Sequence, residues 1–324
     1  MSMTSYTLAA EALDSATQKT GAGSALFSVG PIAMIPGSGA TVNGTTYGLN
    51  ANDSIAAAQM FNQYVGGQPA LNVQRWYMTE TESYASLPAG LSALLNAGCG
   101  IQLCVKPSRT VTSATKSSLS SFLGLVASAM EEAGTPQSAT DVSLWCEPDI
   151  TFATSNPGIT FAAYWADYQP VIKDAGFKVC YNSACNLESY ADAISYFQSL
   201  TILPDKFGVD WYGTPWSNSI FPDQTPSGMS TNLMALADAN DLPFGWFEYG
   251  SCSNGAAPLT QTQWGQFMSY GQNLFTTRTS KGKKNANIIY FGTAGTGTNG
   301  DGNAIFSSSD FRCGSILQTY RMFT

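Results

Sequence analysis

The sequence contains no histidine, and that one absence removes much of enzyme chemistry. A Ser-His-Asp or Cys-His nucleophile, a His-Glu-x-x-His zinc site and a His general base all need an imidazole. Proton transfer near neutral pH falls instead to carboxylates, Tyr, Lys or Cys. Charge is also scarce, at 11% of 324 residues, with a formal net charge of -8. An acidic balance argues against a nucleic-acid partner, because such binding draws its affinity from clustered Lys and Arg. The sole basic run, Lys281, Lys283 and Lys284, reads as a solvated loop. No stretch reaches 18 consecutive apolar residues, so no membrane span is expected. The seven cysteines form no Cys-x-x-Cys pair, which leaves zinc-ribbon and thioredoxin readings without their spacing. No metal and no cofactor are expected. The odd count is compatible with buried free thiols or with one or two disulfides plus a leftover thiol.

What is present is a globular composition, 44% apolar and 12% aromatic, with short apolar runs alternating with amphipathic stretches. Strands are predicted near 25–35, 72–78, 100–106, 142–147, 177–181, 207–212, 243–248 and 287–292. Helices are predicted near 53–65, 86–97, 116–133, 160–175, 187–200, 228–240, 260–275 and 308–320, with Gly98, Gly134 and Gly176 as stop signals. Residues 36–52 read as a long loop. Strict β/α alternation implies a parallel sheet with right-handed crossovers. Eight units favour an α/β fold of one kind, a single (β/α)8 TIM barrel spanning residues 1–324, with residues 1–24 covering its bottom. The segment GTGTNG at 295–300 fits a dinucleotide-binding pattern, but too little chain follows it to complete that fold.

A barrel carries its functional side chains at the carboxyl ends of its strands. Of the glutamates, only Glu147 and Glu248 terminate apolar strand runs, in VSLWCEPDI and PFGWFEYGSC. Burying a carboxylate among aromatics is costly unless it is used or paired. Each taken alone could be a strand-end acid held by an Arg or by backbone amides. Two together are what glycoside hydrolysis requires, one protonated as general acid and one ionised as nucleophile or base.

These motifs resemble the clan A, or 4/7, superfamily of retaining glycoside hydrolases, whose (β/α)8 barrels carry an acid/base Glu after strand four and a nucleophile Glu after strand seven. LWCEPD is similar to the superfamily's Trp-Asn-Glu-Pro segment, and the resemblance implies Glu147 as acid/base. GWFEYG is similar to its strand-seven segment and implies Glu248 as nucleophile. VDWYG implies Tyr212 as a hydrogen-bond donor to the nucleophile, and VQRWYM implies Arg75 as the cation holding that carboxylate ionised. Where the superfamily has an Asn touching the sugar 2-hydroxyl, this chain has Cys146, a poor hydrogen-bond partner. Tyr290 or Phe291 replaces the usual strand-eight Trp platform. Trp211 and Trp216 are candidate sugar platforms, and Lys106 a candidate substrate contact. The resemblance implies a retaining hydrolase acting on a polysaccharide or glycoside, a carbohydrate as sole partner and an extracellular setting. A non-catalytic carbohydrate-binding or structural protein on the same scaffold, or a transglycosylase, stays open beside it.

Overall fold

Strand and helix alternate along the chain in the computed structural model, which describes residues 6–7, 26–27, 40–42, 45–50, 73–96, 98–152, 158–184, 190–212, 229–250 and 261–291. Four strands come first: β1 (Tyr6–Thr7), β2 (Leu26–Phe27), β3 (Ala40–Val42) and β4 (Thr45–Asn50). Then follow β5 (Val73–Met78), α1 (Ala89–Asn96), β6 (Gly100–Val105), α2 (Ser113–Glu132), β7 (Asp141–Leu144), α3 (Pro148–Thr151) and α4 (Phe161–Asp174). The remainder is β8 (Lys178–Ala184), α5 (Tyr190–Ser199), β9 (Lys206–Tyr212), α6 (Met229–Ala239), β10 (Phe244–Gly250), α7 (Gln261–Ser280) and β11 (Asn285–Phe291).

From β4 to β11 the strands lie side by side in chain order and all run parallel, while β3 adds antiparallel to β4. The sheet curls until β11 pairs with β4, from Asn287↔Thr46 to Phe291↔Asn50. One seam stays thin, because β4 and β5 share a single register pair, Leu49↔Gln74. The architecture is a curled parallel α/β sheet wrapped by helices. Among the described residues no helix is long and apolar enough to cross a membrane.

Seven of the eight predicted strands fall where the apolar runs place them. The first does not. Around residue 26 the chain forms only the two-residue β2, antiparallel to β1, and the strand that joins the curled sheet is Thr45–Asn50, inside the segment read as a loop. Its Thr and Tyr are good strand formers, and Asn43-Gly44 between the paired Val42 and Thr45 is a hairpin signal. The Gly, Asn and Thr content hid both. The predicted helices at 53–65 and 308–320, and the cover at 1–24 apart from β1, lie outside the described residues.

Two local signals fix the helix ends. Thr112 and Thr115 exchange side-chain and backbone hydrogen bonds as a capping box at the start of α2. Gly134 and Gly176 follow α2 and α4 with φ of 68° and 86°, the left-handed conformation that a side chain disfavours.

Alternation sorts each strand into two faces. Ile101, Leu103 and Val105 of β6, Val142 and Leu144 of β7, and Phe207, Val209 and Trp211 of β9 join the apolar core under the helices. The intervening residues point into the interior of the curl. There, near the amino ends of the strands, Lys206 pairs with Asp141 at 2.5 Å, Gln102 donates to Ser143, and Asn287 donates to both Gln102 and Asp141.

Strand β10 breaks the alternation. Trp246 pairs with Val209 and Glu248 with Asp210, so Phe247 is an extra residue. Bulges re-aim side chains beside functional sites, and this one turns Glu248, which strict alternation would put on the Trp246 face, onto the Asp210 face. Phe247 packs inward over Gly208, where an added Cβ would lie 2.1 Å from its ring. We expect Gly208→Ala to destabilise the protein by about 1–3 kcal/mol through overpacking, with Phe247→Leu in the same chain recovering part of the loss. Urea unfolding reads both, and an unchanged midpoint for Gly208→Ala would refute the packing.

Candidate active site

The deepest charge in the interior is Arg75, 0% exposed on β5. Its Nη1 and Nη2 each donate to one carboxylate oxygen of Asp210 at 3.1 Å, and its Nε lies 3.3 Å from Oε1 of Glu248. A planar guanidinium suits this fork, which a point charge could not match. Asp210 also accepts from Asn182 Nδ2 at 2.9 Å. Tyr77, two residues along β5 and so on the same face as Arg75, donates its hydroxyl to Glu248 Oε1, and the Arg75 guanidinium sits 5.0 Å from its ring centroid. Burial pushes the Tyr77 phenol well above its ordinary range, against the opposing pull of Arg75, so it stays protonated and donates.

Glu147 is held differently. Strand β7 ends at Leu144, and the next three residues cross between the ends of β6 and β8. Trp145 N donates to Val105 O at 2.8 Å, and Glu147 N donates to Asn182 O at 2.8 Å. Trp145 and Glu147 have φ of 60° and 51°, a conformation rare and strained outside glycine. Surroundings enforce it. The Trp145 ring meets Phe152 and Tyr164 edge-on at 4.9 and 5.5 Å, lies under Lys106 and Arg109 at 5.6 and 5.1 Å, and donates through Nε1 to Thr151. Glu147 starts α3, with Pro148 at its first position, and its carbonyl accepts from Ile150 N and Thr151 N. Asp149 anchors the turn by accepting from Ala184 N at 3.0 Å.

Burial first, then the negative charge of Glu248 and of Asp149, pushes the Glu147 carboxyl up to about 8, with Arg75 and Lys106 opposing. Burial pulls the Lys106 ammonium down, and Glu147 is the strongest opposing charge. The two glutamates thus lie within each other's field in contrasting environments, one against a cation and a phenol, the other in a poorly solvated turn.

Solved structures with a similar fold include a mannanase catalytic domain and a xylanase. The endo-β-1,4-mannanase catalytic domain of family GH26 from Bacillus sp. JAMB-750 aligns with a TM-score of 0.53 at 14% identity, over 88% of this chain and 86% of that one. The chain shares their fold. The endo-1,4-β-xylanase XylE of Penicillium canescens aligns with a TM-score of 0.53 at 14% identity, over 86% of this chain and 95% of that one. No protein-family model and no curated protein sequence matches this chain.

Of the residues singled out in the sequence, Glu147, Glu248, Arg75 and Lys106 fall in one electrostatic cluster. Two others are buried. Trp211, expected as a platform, is fully buried in the core under the helices, because alternation puts Asp210 inward and Trp211 outward. Cys146, expected to face the sugar as a thiol, is buried and disulfide-bonded to Cys104. Tyr212, Tyr290 and Phe291 end β9 and β11, with side chains outside the described residues, as is all of Trp216. Tyr77 and Asp210 were not singled out as site residues. The signal existed for Tyr77, which stands two residues from Arg75 on one strand face.

The raised carboxyl has a consequence for stability. An unfolded Glu titrates near 4.3, so from there to about 8 the folded chain binds more proton than the unfolded one. Its contribution is complete below the lower value and is lost as pH rises through the upper. Glu147→Gln cannot ionise and should melt above the wild type at pH 9, the gap closing toward pH 5. Melts across that range test it, and a wild type that gains on the variant with rising pH would contradict it.

Proposed function

We propose that this chain is a single-domain (β/α)8-barrel glycoside hydrolase that cleaves glycosidic bonds by double displacement, with retention. The observation that carries the reading is the pairing of Glu248, held by Arg75 and Tyr77, with Glu147, whose carboxyl is pushed up to about 8 partly by Glu248 itself. Pairs of carboxyls driven to opposite protonation states mark acid/base assignments.

In this reading Glu248 attacks the anomeric carbon while Glu147 gives its proton to the leaving oxygen. Forming the glycosyl ester removes the charge of Glu248. The part of the upward push on Glu147 that came from Glu248 then falls, and the now-ionised Glu147 takes a proton from the incoming water. Arg75 and Tyr77 receive the charge that returns to Glu248 when the ester breaks. Lys106 borders the acid/base and is the substrate contact we retain among the described residues, with Tyr212, Trp216, Tyr290 and Phe291 as further candidates. Glu248 lies in the carboxyl-terminal half of β10 and Glu147 follows β7, at the strand ends where barrel enzymes carry their chemistry. The substrate class is a neutral or weakly charged polysaccharide or its oligosaccharides, and β-1,4-mannan and xylan, the substrates named for the two neighbours, are the first to try. A polymer too large to enter a cell places the work outside it.

A panel of such glycans, scored by reducing ends released, tests the proposal. Glu248→Gln should lose activity by at least about 10³-fold with its melting temperature near the wild type's, since the nucleophile opens the reaction. A mechanism-based fluoro-glycoside of the responding sugar should leave a covalent adduct on Glu248. Glycan binding without release in the wild type would assign a binding protein, and transfer to an added acceptor sugar in place of hydrolysis would assign a transglycosylase. The alkaline limb of kcat/KM should fall near pH 8 and disappear in Glu147→Gln assayed with a 2,4-dinitrophenyl glycoside, whose leaving group needs no proton. A limb that persists there belongs to another group.

A further inference from the structure

We propose that the Cys104–Cys146 disulfide is a positioning element for the proton-donating carboxyl of Glu147, an inference that rests on the acid/base role given to that residue above. The bond joins β6 to the residue just before Glu147, across 42 positions of chain, with Cα atoms 5.9 Å apart, within the usual span of a disulfide. Both sulfurs are buried, at 1% and 3% residue exposure. Cys146 N also donates to Cys104 Sγ at 3.2 Å.

The surrounding backbone shows what the bond holds. Cys146 lies between two left-handed residues, Trp145 and Glu147, and their amides are anchored to different strands, one to Val105 and the other to Asn182. A segment in two strained conformations persists only where its surroundings over-determine it. The disulfide is the covalent part of that constraint and acts at the residue the backbone bonds straddle. Its other end, Cys104, pairs in register with Tyr77 on one side and Ser143 on the other. Tyr77 is the donor to Glu248. One rung of the sheet therefore ties the acid/base turn to the residue that holds the second carboxyl, and so sets the separation of the two. In place of a side chain that touches substrate, position 146 carries a covalent strut.

The test is removal of the bond in Cys104→Ala/Cys146→Ala, and in Cys104→Val/Cys146→Ala, which restores lost volume if the first variant folds poorly. Peptide mapping of the wild type without reductant should recover the two cysteines in one linked fragment, and recovery of both as free thiols would overturn the proposal. The carboxyl of Glu147, followed by carbon NMR on glutamate-labelled protein and assigned by its loss in Glu147→Gln, should titrate near 8 in the wild type and clearly lower in the variants, because a loosened turn lets water reach it. On the responding glycoside, kcat/KM should fall about a hundred-fold for an unactivated leaving group, the scale of a misplaced acid, and stay within about three-fold for 2,4-dinitrophenolate. Equal losses on both leaving groups with an unmoved Glu147 titration would mean a general staple and would overturn the positioning role. A lowered titration in a protein whose wild type hydrolyses no glycoside would uphold the strut and refute the hydrolase reading instead.

Discussion

A guanidinium sealed from water cannot exist without its counter-charges, and Arg75 is such a group. Its fork to Asp210 and its contact with Glu248 make three strands electrostatically interdependent. Removing one partner of a buried ion pair typically costs about 3–5 kcal/mol because the other charge is stranded, so the cluster keeps β5, β9 and β10 in one arrangement. It also divides the site. Glu248 lies in contact with the cation, whereas the carboxyl of Glu147 is pushed up by burial first and then by the charge of Glu248. Two chemically identical side chains thereby sit in different surroundings, one in contact with the cation and the other in a buried turn.

The backbone reaches this arrangement by departing from regular geometry at two places, on β10 and after β7. The bulge at Phe247 moves Glu248 to the face that holds Asp210, and Gly208 leaves the room that the Phe247 ring occupies. After β7, two non-glycine residues in the left-handed region turn the chain so that Trp145 packs outward among Phe152 and Tyr164 while Cys146 faces in to meet Cys104. Local rules tend to be broken where function requires it. Both breaks lie beside a glutamate.

The interior beneath the site is polar as well. Asp141 and Lys206, with Gln102, Ser143 and Asn287, form a bonded network near the amino ends of the strands. The bonds of such a network form only in one strand register, since slipping a strand by one residue would turn its polar members toward the apolar helices. Stability and site geometry are in this way set by the same alternation.

Periodicity placed seven of the parallel strands and six of the helices between them, because burial on both faces leaves continuous apolar runs, and it drew notice to the two glutamates because an acid inside such a run stands out. The absence of histidine already left proton transfer to carboxylates, Tyr, Lys or Cys. The same reading missed Thr45–Asn50, whose polar strand formers resemble a loop. It gave Trp211 a sugar-facing role that strict alternation, applied to Asp210 beside it, would have refused. Other features lay beyond any local pattern. The bulge that re-aims Glu248, the bond between Cys104 and Cys146, and the hydroxyl of Tyr77 on Glu248 each join residues far apart in the chain. Composition and period fix which face of an element is buried, but which groups meet across the interior is decided only when the strands curl and set their register against one another.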